Sequence, residues 1–263
     1  MRYETCPECH YTRPSTDDSP ADICPSCGLV FWKWEKYHSP EEYGTGDPPR
    51  FTTDTGKAAP FWQQAIWDHV GHCPATDWFT WSGRCGVLLA LCAWGGWFVL
   101  LGPSHTAVIG ECFLHRVNLV FHEAGHVLFS PFGDFLHVMG GSLGQVLMPL
   151  IVMLSFLVKD RDPFAAAVGL WWIGQSAMDI SIYIDDARSL ELPLLGGGTG
   201  YDNPDRHDWN NLLARLGLLD SDHVLAQSVY MIGRLLMVAA CLWGGVVLYR
   251  QVCRLLQTSR QGT

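Results

Sequence analysis

The sequence has little charge, and least of all positive charge. Charged residues make up 16% of the 263, and 17 Lys and Arg stand against 26 Asp and Glu, a formal net charge of -9. Phosphate backbones are held by concentrated basic faces. The cations here are scattered, which excludes nucleic acid as a partner. The opening MRYETCPECH also lacks the charged start and apolar core of a secretory signal, and this predicts a cytoplasmic N-terminus. No His-His dipeptide occurs, which argues against the adjacent-histidine boxes that hold two irons in membrane desaturases and hydroxylases. The glycine run GGGTG at 196–200 is not followed by the Lys-Ser or Lys-Thr that completes a phosphate loop.

What is present is apolar: 48% of the residues are hydrophobic. Charges crowd into the first 80 or so positions and into 185–228, leaving long runs of Leu, Val, Ala, Gly and Trp. No charge falls between Arg84 and His105, or within Met139–Val158, and further apolar runs cover Phe164–Ile184 and Val229–Tyr249. About 20 apolar residues in a helix cross the roughly 30 Å of hydrocarbon in a bilayer. Another apolar stretch, Val117–Phe132, surrounds a histidine motif. The predicted fold is an all-α integral membrane bundle of about 4–6 transmembrane helices, a multi-pass protein whose first partner is the lipid bilayer. Arg250, Arg254 and Arg260 place the C-terminus inside by the positive-inside rule. Five full crossings cannot put both ends inside, so either one segment is re-entrant or the rule is broken at the C-terminus.

Four of the ten cysteines form two CPxC knuckles, Cys6/Cys9 and Cys24/Cys27, with 14 residues between them. Each knuckle can give two thiolates to one tetrahedral zinc, and Gly28 suits the tight turn after the second. Residues 1–35 are thus predicted to be a zinc ribbon of short β structure, similar to modules that dock protein partners. So small a segment takes much of its folding energy from the metal. Residues 36–84 read as a linker followed by an aromatic interfacial stretch. Residues 85–250 form the membrane domain, with a long loop at 185–228, and 251–263 a C-terminal tail.

The chemistry centres on His122-Glu123-Ala124-Gly125-His126. Histidines four apart stack on one face of a helix and can share a metal, with Glu123 beside them as general base on a metal-bound water. A carboxylate in an apolar segment costs roughly 2.5–3.5 kcal/mol, and a metal with its water offsets that cost. A third protein ligand is needed. Asp179 is the leading candidate, because it is the carboxylate set well inside an apolar run and shares a stripe with Gln175, Tyr183 and Asp186. Asp186, Glu191 and His207 are alternatives. Asp186 is expected to pair with Arg188, Asp208 to cap a helix beginning at Trp209, and Gly196–Gly200 to make the long loop flexible. Asn118 and Gln175 are candidates for oxyanion support, and equally for hydrogen bonds between helices.

HEAGH in an apolar segment, followed by Gly140-Gly141-Ser142-Leu143-Gly144 and a later intramembrane aspartate, resembles the site-2-protease-like intramembrane metalloproteases over about residues 85–190. The chain departs from that family in lacking its Asn-Pro-Asp-Gly style segment, since Ile180 follows Asp179. The resemblance implies a zinc metallopeptidase that hydrolyses peptide bonds of membrane-anchored protein substrates. It would carry one catalytic zinc on His122, His126 and Asp179, and one structural zinc on Cys6, Cys9, Cys24 and Cys27. The alternative is a non-catalytic metal-binding membrane sensor or adaptor whose ribbon carries the partner contact.

Overall fold

The structure is a computed structural model and describes residues 5–14, 22–27, 29–31, 70–101 and 110–261. The chain divides into two compact units, Met1–Pro60 and Phe61–Thr263. Gly28 and most of the expected linker and interfacial stretch lie outside the described residues.

In the first unit the two CPxC segments are a matched pair of knuckles. Antiparallel bridges join Thr5 to Thr12 and Ile23 to Val30. The amides of Cys6 and Cys24 donate to the carbonyls of Tyr11 and Leu29, both at 2.8 Å. Cys6, Cys24 and Phe31 form the buried centre, flanked by Tyr11 and Leu29.

The described part of the second unit is almost wholly helical. Helix α1 is Trp78–Leu101, α2 Phe113–Phe129, α3 Asp134–Leu154, α4 Pro163–Asp185, α5 Asp208–Leu216 and α6 Asp222–Gln261. The ends follow from local chemistry. Asp77 accepts from the amides of Phe79 and Thr80, each at 2.9 Å, and so starts α1 ahead of the charge-free run. Gly133, at φ +99°, turns the chain between the 3₁₀ turn Ser130–Phe132 and α3. Asp162 caps α4 with Pro163 in the first turn, and also pairs with Arg84 at 2.6 Å. Helix α3 runs on through a π-helical turn, Ser155–Lys159. Helix α6 extends well past both ends of its apolar run, since no proline interrupts 222–261.

Small residues set the closest packing. A Cβ built on Gly174 would lie 2.7 Å from the Gly233 carbonyl oxygen, and one on Gly233 2.6 Å from that of Gly174, so α4 and α6 touch backbone to backbone. Gly140 would stand 2.7 Å from the Gly125 carbonyl oxygen by the same measure, and Gly144 2.8 Å from Gly125 Cα. The glycines after the histidine motif therefore serve the close approach of α2 and α3. Helix α4 is the central one, buried along most of its length. Its Trp171 and Met178 pack with Phe98, Tyr230 and Met237, and Tyr230 Oη donates to the Phe98 carbonyl at 2.9 Å.

Among the described residues, two helices are long and apolar enough to cross a membrane: Asp134–Lys159 and Leu219–Ser259. Helix α4 is not one of them. Its apolar run carries Gln175, Ser176, Asp179 and Ser181, all buried against neighbouring helices.

Candidate metal centre

The α2 histidines lie one turn apart on the face turned towards α3, and their rings meet edge to face with centroids 4.8 Å apart. His126 is oriented by its other nitrogen, since Nδ1 donates to the His137 carbonyl at 2.8 Å. His137 Nδ1 returns the bond to the His126 carbonyl at 2.9 Å. This leaves His126 Nε2 as the free donor to a cation.

The carboxylate that meets the imidazoles is Asp208. Its Oδ2 is 3.0 Å from His122 Nε2 and 3.1 Å from His126 Nε2. Burial pushes the Asp208 carboxyl up, but the two imidazoles outweigh it and hold its pKa down at about 2. The three donor atoms lie within 4.8 Å of one another and can hold a metal ion. Tetrahedral zinc with ligands at about 2.0–2.1 Å separates its donors by about 3.3 Å, and both histidine–carboxylate separations are close to that. Space for the ion comes from α3: a Cβ on Gly141 would fall 2.6 Å from His126 Nε2 and closer still to His122 Nε2. Two imidazoles and one carboxylate form a donor set of the kind that holds zinc.

Gly141→Ala should therefore lose metal at this site while keeping its helical content. The methyl group displaces the ligating nitrogens and leaves the α2–α3 contact at Gly125, Gly140 and Gly144 untouched. Metal analysis beside circular dichroism checks this, and full occupancy in the alanine variant would contradict it.

Asp208 reaches the site through α5. Trp209 Nε1 donates to Ser142 Oγ at 3.1 Å, which fastens the first turn of α5 beside Gly141. Leu213 is buried with Ile180, Ile184 and Ala226. Asp208 does not cap the helix as expected; His207 does, its Nδ1 accepting from the Asn210 amide at 3.1 Å.

The expected third ligand, Asp179, is not with the two histidines. It is buried in a separate polar network that joins three helices. Oδ1 is 2.8 Å from His115 Nδ1, and Oδ2 accepts from Gln145 at 2.6 Å and from Asn118 at 3.3 Å. Asn118 donates to Gln175 at 2.8 Å and accepts from Trp172 at 2.9 Å. Asn118 and Gln175 thus make the interhelical hydrogen bonds weighed for them, and both are buried within this network. The carboxylate has three donors, which satisfies it without a metal.

Of the alternative ligands, Asp186 and His207 are likewise engaged elsewhere. Asp186 accepts from Ser189 Oγ at 2.6 Å and from the amides of Glu191 and Leu192 at 2.9 and 3.0 Å. It does not pair with Arg188, which reaches Asp222 at 2.7 Å instead. Glu191 is exposed, and His207 is buried against Asp186. The loop glycines Gly196, Gly197 and Gly198 sit at φ of +88°, +91° and +77° in a defined turn, pinned by Arg206 donating to the Leu195 carbonyl at 2.7 Å. Glu123, next to His122, is exposed.

A second cluster lies in the first unit, where the thiols of Cys6, Cys9, Cys24 and Cys27 come within 4.8 Å of one another and can hold a metal. Cys6–Cys27 and Cys9–Cys24 Sγ separations are both 3.7 Å, and none of these cysteines is in a disulfide. Burial opposes ionisation of Cys24, but the amides of Cys27 and Ser26 and the neighbouring thiols outweigh it and hold its pKa down at about 6. Cys27 in the same cluster moves the other way, to about 12: the Leu29 amide lowers it, but burial and the neighbouring thiols outweigh that amide, so the group gives up its first proton readily and the next less so.

Comparison with known family models, curated proteins and solved structures finds no match to this chain.

Proposed function

We propose that the protein is a membrane-embedded zinc metallopeptidase that cleaves membrane-anchored protein substrates, with its catalytic metal on His122, His126 and Asp208. The observation that carries this reading is the convergence of an HExxH helix and a distant carboxylate on a space that only a glycine at 141 leaves open. A zinc ion held by these three residues would lower the pKa of a water and polarise a carbonyl oxygen. Glu123, adjacent to His122, takes the proton from the attacking water and returns it to the departing amine. His126, steered by His137, keeps its Nε2 on the metal side. The carboxylate of Asp208 supplies the negative charge that two neutral imidazoles lack.

The membrane setting is supported by the two long apolar helices and by large apolar side chains left facing outwards, among them Val120, Val127 and Leu128 on α2 and Leu235 and Leu242 on α6. An apolar surface of that extent is stable in contact with lipid. In this reading α1, α2 and α4 complete a bundle of four to six membrane-embedded helices, with the N-terminus cytoplasmic. The four-cysteine cluster holds a structural zinc and carries a protein partner.

Two zinc ions per chain are expected, and Cys6→Ser/Cys9→Ser should lower the count to one while His122→Ala lowers it to the other one. A count that ignores the cysteine changes would remove the ribbon from the account.

The deciding experiment places the purified full chain in lipid vesicles with a membrane-anchored peptide reporter. Wild type and Glu123→Gln are compared for cleavage, and both are assayed for zinc. Cleavage by wild type alone at equal zinc content supports the proposal. Zinc-loaded wild type that leaves a panel of such reporters intact favours the non-catalytic metal-binding sensor.

A further inference from the structure

Between α4 and α5 the chain leaves the bundle over residues 186–207 and returns to place Asp208 on the two histidines. The two ends of this excursion meet. His207 is only 1% exposed, and its ring makes one hydrogen bond, at Nδ1, while Nε2 is buried without one. Nδ1 accepts from the Asn210 amide at 3.1 Å, and Nε2 lies 3.3 Å from Asp186 Oδ2, an electrostatic contact within ion-pair reach that lacks the alignment of a hydrogen bond. Asp186 ends α4 and is held rigidly by Ser189 and by the amides of Glu191 and Leu192. The space for the ring is fitted to it: a Cβ on Gly200 would stand 3.2 Å from His207 Cβ, and the Tyr183 ring lies against it with centroids 6.3 Å apart.

We infer that His207 is a positioning residue that sets the metal affinity of the His122–His126–Asp208 group by tying the start of α5 to Asp186 at the end of α4. The inference rests on the reading that this group holds a metal. Its physical basis is preorganisation. Asp208 follows His207 directly in the chain, so whatever fixes the His207 ring fixes where the next carboxylate emerges. Without the tie, the end of a long excursion must be ordered when the metal binds, and binding is weaker by that cost. Outer-shell partners of this kind typically change metal affinity by about 10–100-fold.

A helix cap alone would not need Asp186, and the two roles separate by substitution. His207→Asn keeps a good N-cap acceptor, near the Nδ1 position, but is too short to reach Asp186. His207→Gln extends an amide N–H towards Asp186, near the Nε2 position, and is the poorer cap. The full chain is titrated with zinc in a metal-buffered series. The step belonging to this site is identified by its loss in His122→Ala, and circular dichroism verifies helical content in each variant. The expected result is a His122-dependent step weakened about 10–100-fold in His207→Asn and recovered in large part in His207→Gln. Affinity kept by the asparagine and lost by the glutamine would assign His207 to capping alone and overturn the inference. So would a step that neither variant moves. A wild-type titration without any His122-dependent step overturns the metal reading itself, and this inference with it.

Discussion

Asp208→Ala is expected to empty the histidine site, with zinc affinity there falling by more than the roughly 100-fold that marks the loss of an outer-shell partner. Asp179→Asn is expected to leave that affinity at the wild-type level. The contrast follows from where each carboxylate points. Asp208 Oδ2 is 3.0 and 3.1 Å from Nε2 of His122 and of His126, and removing it leaves two imidazoles with no carboxylate to balance a dication. Asp179 is wholly engaged by His115, Gln145 and Asn118. Its replacement is felt as stability: an amide in place of the carboxylate presents a second donor to partners that are themselves donors, and leaving a buried group unsatisfied costs about 1–3 kcal/mol. Chelator competition reads the first effect and thermal or denaturant unfolding the second. Zinc lost from Asp179→Asn and retained by Asp208→Ala would reverse the assignment of the third ligand.

That assignment marks the boundary of what the sequence makes legible. The HExxH pair and the CPxC knuckles are local: four residues on a helix, or two in a turn, fix donor geometry before any tertiary contact forms. The helices are legible for the same reason, because apolar runs and caps such as Asp162-Pro163 act within a few residues. Which carboxylate meets the two histidines is set by tertiary structure. Asp208 lies 86 residues beyond His122, and the chain between them crosses α3, α4 and the excursion at 186–207. In isolation it reads as a helix cap, and the cap is in fact one residue earlier, at His207. Asp179 draws attention on sound grounds, since a carboxylate in an apolar helix must be compensated. The compensation comes from His115 and Asn118 on α2 and Gln145 on α3, dispersed over two other segments. Asp186 and Arg188 show the same limit on a smaller scale. Near neighbours of opposite charge invite pairing, yet Asp186 is taken by backbone amides within its own turn and Arg188 by Asp222 at the start of α6.

Glu123→Gln is expected to lower the rate of peptide cleavage by about 10²–10⁴-fold, the range a general base supplies, with zinc content and unfolding unchanged. The separation is sharp because Glu123 lies outside the polar groups described above. It is exposed on α2, it is absent from the group of three metal donors, and it belongs to neither the Asp179 network nor the Asp186–His207 tie. Glutamine is isosteric and as good a helix former, so a change at such a position moves stability by no more than about 0.5 kcal/mol. What glutamine lacks is a lone pair basic enough to take a proton from water. A variant that holds full zinc and no longer cleaves therefore isolates proton transfer from metal binding, which no change to His122, His126 or Asp208 can do. Cleavage at the wild-type rate would mean that another group is the base, and loss of zinc would make Glu123 a ligand.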